Sequence, residues 1–321
     1  MKKSKSGKKW LFRFLKLALV LVAIYLLWFK IERAELSDFT LDIDQNRSII
    51  SLLLFGFLWL LNISLDAFAW QRIQALISHI SLKKAIWQNI KCYGLAFITP
   101  LNSGELVGRY IVQEDKAHRS KAVFLTFWTH GPKLFGKTIV SLIILGIWLV
   151  NSQQISYAFL VLLPLTVALI IYYRLEKIVS SLHERKLFKY PLANYLIKGE
   201  PRSKLKSLLL LVHSLRFLIF SAQLLVSLYF LKPESIQVEI LFAIPLYYFI
   251  SAITPTFAGL DFLIKGALSF YFFSFFSSES MVFVIASTLV WFFNMAIPSI
   301  VGLASLNRSE LARIKRKRKK P

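Results

Sequence analysis

Three stretches of this chain lack charge over lengths that match a lipid bilayer. Residues 48–65, 138–173 and 280–307 contain no Asp, Glu, Lys or Arg. A bilayer core of about 30 Å takes roughly 20 apolar residues per helical span. The middle block therefore holds two spans around the polar turn 151–154. A soluble core interleaves polar residues at the helical period, and these blocks do not. Composition agrees, with 18% charged residues against about a quarter in an ordinary soluble domain. The expected fold class is an all-α polytopic membrane protein.

The net charge of +23 invites a nucleic-acid reading, but its placement argues for a membrane. Five lysines crowd residues 1–10 and a basic run fills the tail 307–321, with a third cluster over 174–206. Lys and Arg beside spans are retained in the cytoplasm and attract anionic headgroups. The expected location is a bacterial inner membrane, with both termini cytoplasmic and no nucleic-acid partner. The first apolar block, 11–29, follows a basic segment as a signal peptide does. The residues after it are Lys30, Ile31, Glu32 and Arg33, which offer no small-residue cleavage site, so it reads as an uncleaved span. The single cysteine, Cys92, excludes an intramolecular disulfide and reads as a small packing residue.

Full spans are expected at 11–29, 49–70, 122–150, 155–173, 208–231 and 281–306. Two further apolar segments are short and broken. Residues 85–99 end at Pro100, and 240–253 run into Pro255. Fifteen helical residues cover about 22 Å, short of a crossing. A segment that enters, breaks at Pro or Gly and turns back is the expected form. The count is about six full spans plus two re-entrant hairpins, or eight spans if the broken segments cross.

The two breaks resemble each other. Ile98-Thr99-Pro100 leads to Gly104 and Glu105, with Arg109 four residues on. Ile253-Thr254-Pro255 leads to Gly259 and Asp261, with Lys265 four residues on. The first enters from the cytoplasm and the second from outside. That makes an inverted internal repeat, over about 49–150 and 207–306 within a single domain 11–306. Such repeats are typical of transporters, whose substrate site lies near the midplane where broken helices meet. A helix opening at Gly104 or Gly259 presents N–H groups and a positive dipole end to an anion. The acid–base pairs lie one turn apart and can pair; charges in lipid face the bundle interior or water. The candidate substrate-binding residues are therefore Pro100, Gly104, Glu105, Arg109, Pro255, Gly259, Asp261 and Lys265. Secondary candidates are Asp66, His130, Lys133, Lys137 and Arg216, with His213 beside the last. The five His lack metal-ligand spacing, and no Ser/His/Asp or phosphate-loop pattern occurs. No cofactor is expected.

At these motifs the chain resembles the transmembrane-region family of lysylphosphatidylglycerol synthases, the flippase-like membrane proteins. Pro100, Gly104 and Glu105 match that family's first motif, with Arg109 one position late. Asn102 and Ser103 stand where the family often has a basic residue. Pro255, Gly259 and Lys265 resemble its second motif, with Ala258-Gly259 in place of a Gly pair. The resemblance covers about 10–306 and implies a lipid-translocating domain. The soluble aminoacyl-transfer domain of the best-known members is expected to be absent, so synthase activity is not inherited. The expectation is a non-enzymatic transporter of an anionic lipid or lipid-linked envelope intermediate, working by alternating access. The competing expectations are a membrane accessory subunit partnered with an envelope-lipid enzyme and, more weakly, an intramembrane enzyme with Glu105 as base.

Overall fold

The computed structural model describes residues 45–97, 99, 104–184, 203–254, 261–307 and 310. Among these, every regular element is a helix. In chain order they are α1 (Gln45–Gln74), α2 (Leu82–Phe97), α3 (Gly104–Val112), α4 (Arg119–Asn151), α5 (Ile155–Glu184), α6 (Ser203–Leu231), α7 (Val238–Ile253), α8 (Asp261–Phe273), α9 (Ser280–Trp291) and α10 (Ile297–Ala304). A five-residue π-turn, Phe292–Ala296, joins the last two into one rod.

Five helices are long and apolar enough to cross a membrane: α1, α4, α5, α6 and the α9–α10 rod. They coincide with the spans expected at 49–70, 122–150, 155–173, 208–231 and 281–306. The span expected at 11–29 lies outside the described residues, with Pro100, Asn102, Ser103, Pro255 and Gly259. The chain has the make-up of a multi-pass helical membrane protein. Its surface agrees: Leu53, Phe159 and Leu163 are 71%, 67% and 70% exposed, while Asn62, Asp66 and Arg216 are buried. Apolar outside and polar inside is the arrangement lipid selects.

Two helix ends differ from expectation. The basic stretch 174–206 is helical at both ends, because α5 runs to Glu184 and α6 begins at Ser203. Lys and Arg are good helix formers, so they mark the membrane edge without ending a helix. As the span expected at 122–150 requires, α4 continues through Pro132. At 1.5 Å per residue, α2 and α7 reach about 24 Å, α8 about 20 Å and α3 about 14 Å, all short of a bilayer core.

The π-turn has a local cause. Pro298 carries no N–H and cannot close the normal bond to the carbonyl of Asn294. The Asn294 amide bonds the Val290 carbonyl at 2.9 Å, which fixes that side chain at the widened turn.

The packing has a regular pattern. α1 lies along α6. α2 packs on α10, and α7 packs on α4. α3 touches α2 and α4; α8 touches α7 and α9. α5 packs on α4. Two apolar clusters result. One joins α6 to α7, α8 and α9 through Leu228, Tyr247, Phe273 and Phe283. The other joins α1, α4 and α6 through Trp70, Trp128 and Leu209. Along α6, Leu209 and Val212 belong to the second and Leu224 to the first; His213 and Arg216 lie between. A polar layer thus separates two apolar ones.

The α2–α10 crossing is a backbone contact. A Cβ added at Gly94 would meet Leu303 N at 2.7 Å, and one at Gly302 would overlap the Ile90 carbonyl. Small residues allow this approach between helices. Gly302→Ala is expected to push α10 off α2 at a cost of about 1–3 kcal/mol, the usual range for overpacking. Thermal unfolding in detergent checks it; an unchanged Tm contradicts the contact.

Candidate functional site

The polar layer is built from residues close to the middle of long helices. Asn62 on α1, Lys133 and Lys137 on α4, Arg216 on α6 and Asn294 in the α9–α10 rod each lie within one turn of their helix's midpoint. One turn rises about 5.4 Å.

Asp66 is the hub. It is one turn below Asn62 on α1 and is buried. Its carboxylate accepts from Arg216 and from the Tyr93 hydroxyl, and from Asn89 Nδ2 at 2.8 Å. Arg216 Nε also donates to Asn62 Oδ1 at 2.9 Å. Lys133 Nζ stands 3.7 Å from Asp66 and 3.6 Å from Glu105, bridging α3 to α1. Asn62 in turn donates to Asn294 Oδ1 at 2.7 Å, and Asn294 to Gln223 Oε1 at 2.9 Å. Six helices, counting the α9–α10 rod as one, are stitched together by groups that lipid would not satisfy.

Thr99 and Gly104 tie the end of α2 to the start of α3. Thr99 Oγ1 accepts the Gly104 N–H at 2.6 Å and donates back to the Leu95 carbonyl at 3.0 Å. A Cβ at Gly104 would collide with that carbonyl. Gly104 thus serves close approach of the chain to itself, and its N–H is not open to a ligand as the motif suggested. Glu105 on α3 lies 3.6 Å from Arg109 and 3.8 Å from His130 Nε2. Arg109 is 2% exposed, and its guanidinium lies 3.6 Å from the Trp70 ring centroid.

Between the halves is a cavity of about 350 Å³. Its walls come from α1, α2, α4, α6, α7, α8 and the α9–α10 rod. Four basic side chains line it: Lys133, Lys137, Arg216 and Lys265. Asp261 is the acid on the wall, paired with Lys265 at 2.6 Å. Together with the adjacent Asp66, Glu105 and Arg109, the neighbourhood holds five basic against three acidic groups, so it favours an anion. His130, Lys133 and Lys137 follow spacings of three and four on α4, one face of the helix. That face runs from Glu105 to the cavity.

The structure therefore gathers Asp66, Glu105, His130, Lys133 and Arg216 into one network, and Asp261, Lys265 and Lys137 onto one cavity. Glu105 and Arg109 are not on its wall. Sequence reading passed over Asn62, Asn89, Tyr93, Gln223, Tyr248 and Asn294. Asn62 and Asn294 carried a usable signal: each is an amide inside a charge-free apolar block. Among the described residues no three His, Cys, Asp or Glu gather as a metal-ligand group. No protein-family model and no curated protein matches the chain.

Proposed function

We propose that this chain moves an anionic lipid, or an anionic lipid-linked intermediate, across a membrane by alternating access. The observation that carries the reading is the net-basic cavity at mid-helix depth, walled by helices from both halves of the chain. The proposed architecture is two inverted repeats, each a long helix, a re-entrant hairpin and a second long helix. The packing supports it. Exchanging α1 with α6, α2 with α7, α3 with α8 and α4 with the α9–α10 rod carries α2-on-α10 into α7-on-α4, and α3-on-α4 into α8-on-α9. The short α2, α3, α7 and α8 fit half-crossings that meet near the midplane. The resemblance of Pro100, Gly104, Glu105 and Arg109 to the flippase-like family points the same way. The basic ends of the sequence support a topology with both termini cytoplasmic.

Roles follow from position. Lys133, Arg216 and Lys265 hold the headgroup inside; Asp66 and Asp261 keep those cations oriented when it leaves. Glu105 and Arg109 fix the first hairpin against α4 and α1. The test is translocation of tail-labelled phosphatidylglycerol in proteoliposomes, followed by a membrane-impermeant quencher. Wild type is expected to exceed protein-free vesicles and to discriminate against a cationic lipid. Lys133→Ala with Lys265→Ala is expected to slow it by about tenfold or more, the equivalent of one lost charged contact of about 1.4 kcal/mol. Equal rates for the variant and wild type would remove the reading.

A further inference from the structure

The cavity wall contains donors with nothing to donate to. Lys137 lines it and has no acid within salt-bridge distance among the described residues. Each neighbouring cation has an acid beside it: Arg216 has Asp66, Lys133 has Asp66 and Glu105, Lys265 has Asp261. His213 is 3% exposed, and its Nδ1 lies 3.3 Å from Arg216 Nη1. A guanidinium only donates, so Nδ1 accepts and the neutral ring carries its proton on Nε2. That Nε2 is buried on the cavity wall without a protein partner. Trp291 and Tyr248 line the same cavity, and their indole N–H and hydroxyl are likewise buried and unpartnered among the described residues. Buried donors left unmet are costly, and an uncompensated cation at membrane depth more so.

Resting on the transport reading above, we infer that Lys137, His213, Trp291 and Tyr248 form a phosphate-binding subsite, and that its ligand is the phosphodiester of a lipid with a small polar headgroup. The complement of four donors is a group rich in acceptors and carrying negative charge. A phosphodiester supplies acceptor oxygens without a proton of its own, and its single charge matches the one cation on this wall that lacks an acid. The volume sets the size limit. Ligand cavities run from about 300 to 1,000 Å³, and this one is near the lower end. It takes a phosphate with a short substituent such as glycerol, not an oligosaccharide.

The test titrates maltoside-solubilised protein with dioctanoyl phosphatidylglycerol, dioctanoylglycerol and inorganic phosphate, by isothermal calorimetry. The phosphatidylglycerol is expected to bind and the phosphate-free lipid not to. Lys137→Gln is expected to weaken binding by about tenfold or more, the scale of a lost charge-assisted contact. Lys137→Arg keeps the charge and keeps binding within about threefold, while Trp291→Phe keeps the ring, loses the donor and weakens it by about threefold or more. The exposed Lys83→Gln is the control. Equal affinity for wild type and Lys137→Gln, or for the two lipids, overturns the subsite. Inorganic phosphate binding as tightly as the lipid overturns the lipid assignment. Translocation that persists while binding ignores Lys137 refutes this subsite alone; binding as expected without translocation refutes the transport reading alone.

Discussion

Asp66→Ala is expected to be among the most damaging single substitutions in the chain, at about 3–5 kcal/mol. The carboxylate is 4% exposed and meets Arg216, Asn89, Tyr93 and Lys133. Its removal leaves a guanidinium buried without a counter-charge and strands two neutral donors. The cost is dominated by what remains behind, which makes a sharp corollary. Asp66→Ala combined with Arg216→Met removes both members of the pair, and a buried pair replaced by apolar groups is often near neutral. The double variant is expected to recover more than half of the lost stability while still failing to translocate lipid. Unfolding of the reconstituted protein by titrated SDS measures it. A double variant as unstable as the sum of the two single ones contradicts the pairing.

Arg109→Ala is expected to cost about 3–5 kcal/mol, the range for deleting a large buried side chain. Here the lost contacts include a desolvated stack on Trp70, worth about 2 kcal/mol in such settings, and the pairing with Glu105. Trp70 is itself held by its indole N–H on Gln88 at 2.7 Å, so the stack sits on a fixed ring. Arg109→Lys is not expected to rescue, because an ammonium cannot reproduce a planar stack. Transport per folded molecule is the discriminating readout. Arg109 is not on the cavity wall, so a rate within about threefold of wild type is expected once folded protein is counted, a change under 1 kcal/mol. A normally folded Arg109→Ala that moves no lipid would instead make Arg109 a headgroup ligand.

Much of this architecture was legible because lipid imposes a simple rule on sequence. Charge-free blocks mark four of the spans, and all five described helices long and apolar enough to cross lie where the sequence led one to expect them. The acid–base spacing of Glu105/Arg109 and Asp261/Lys265 also reads directly as i, i+4 pairing, and both pairs form. What stayed hidden depends on relations between helices. Nothing in the local sequence says that Asp66 meets Arg216, 150 residues away. Nor does the motif separate Arg109, sealed over Trp70, from Lys265, which lines the cavity; both are bases four residues after an acid. Gly104 looked like a place for a ligand to approach, yet its neighbour is the chain's own Leu95 carbonyl. The partners of Asn294 were hidden as well, because Asn62 and Gln223 come from two other helices.

Alternating access requires a cavity that opens to each face of the membrane in turn, and one engineered thiol tests for it. Cys92, the single native cysteine, is buried, so Cys92→Ala gives a thiol-free background. Ser251 on α7 lines the cavity and is 5% exposed. In right-side-out and inside-out vesicles, Ser251→Cys is expected to react with a small charged methanethiosulfonate from both faces, and phosphatidylglycerol is expected to slow both reactions. Reaction from a single face, unaffected by the lipid, would contradict alternating access around this site.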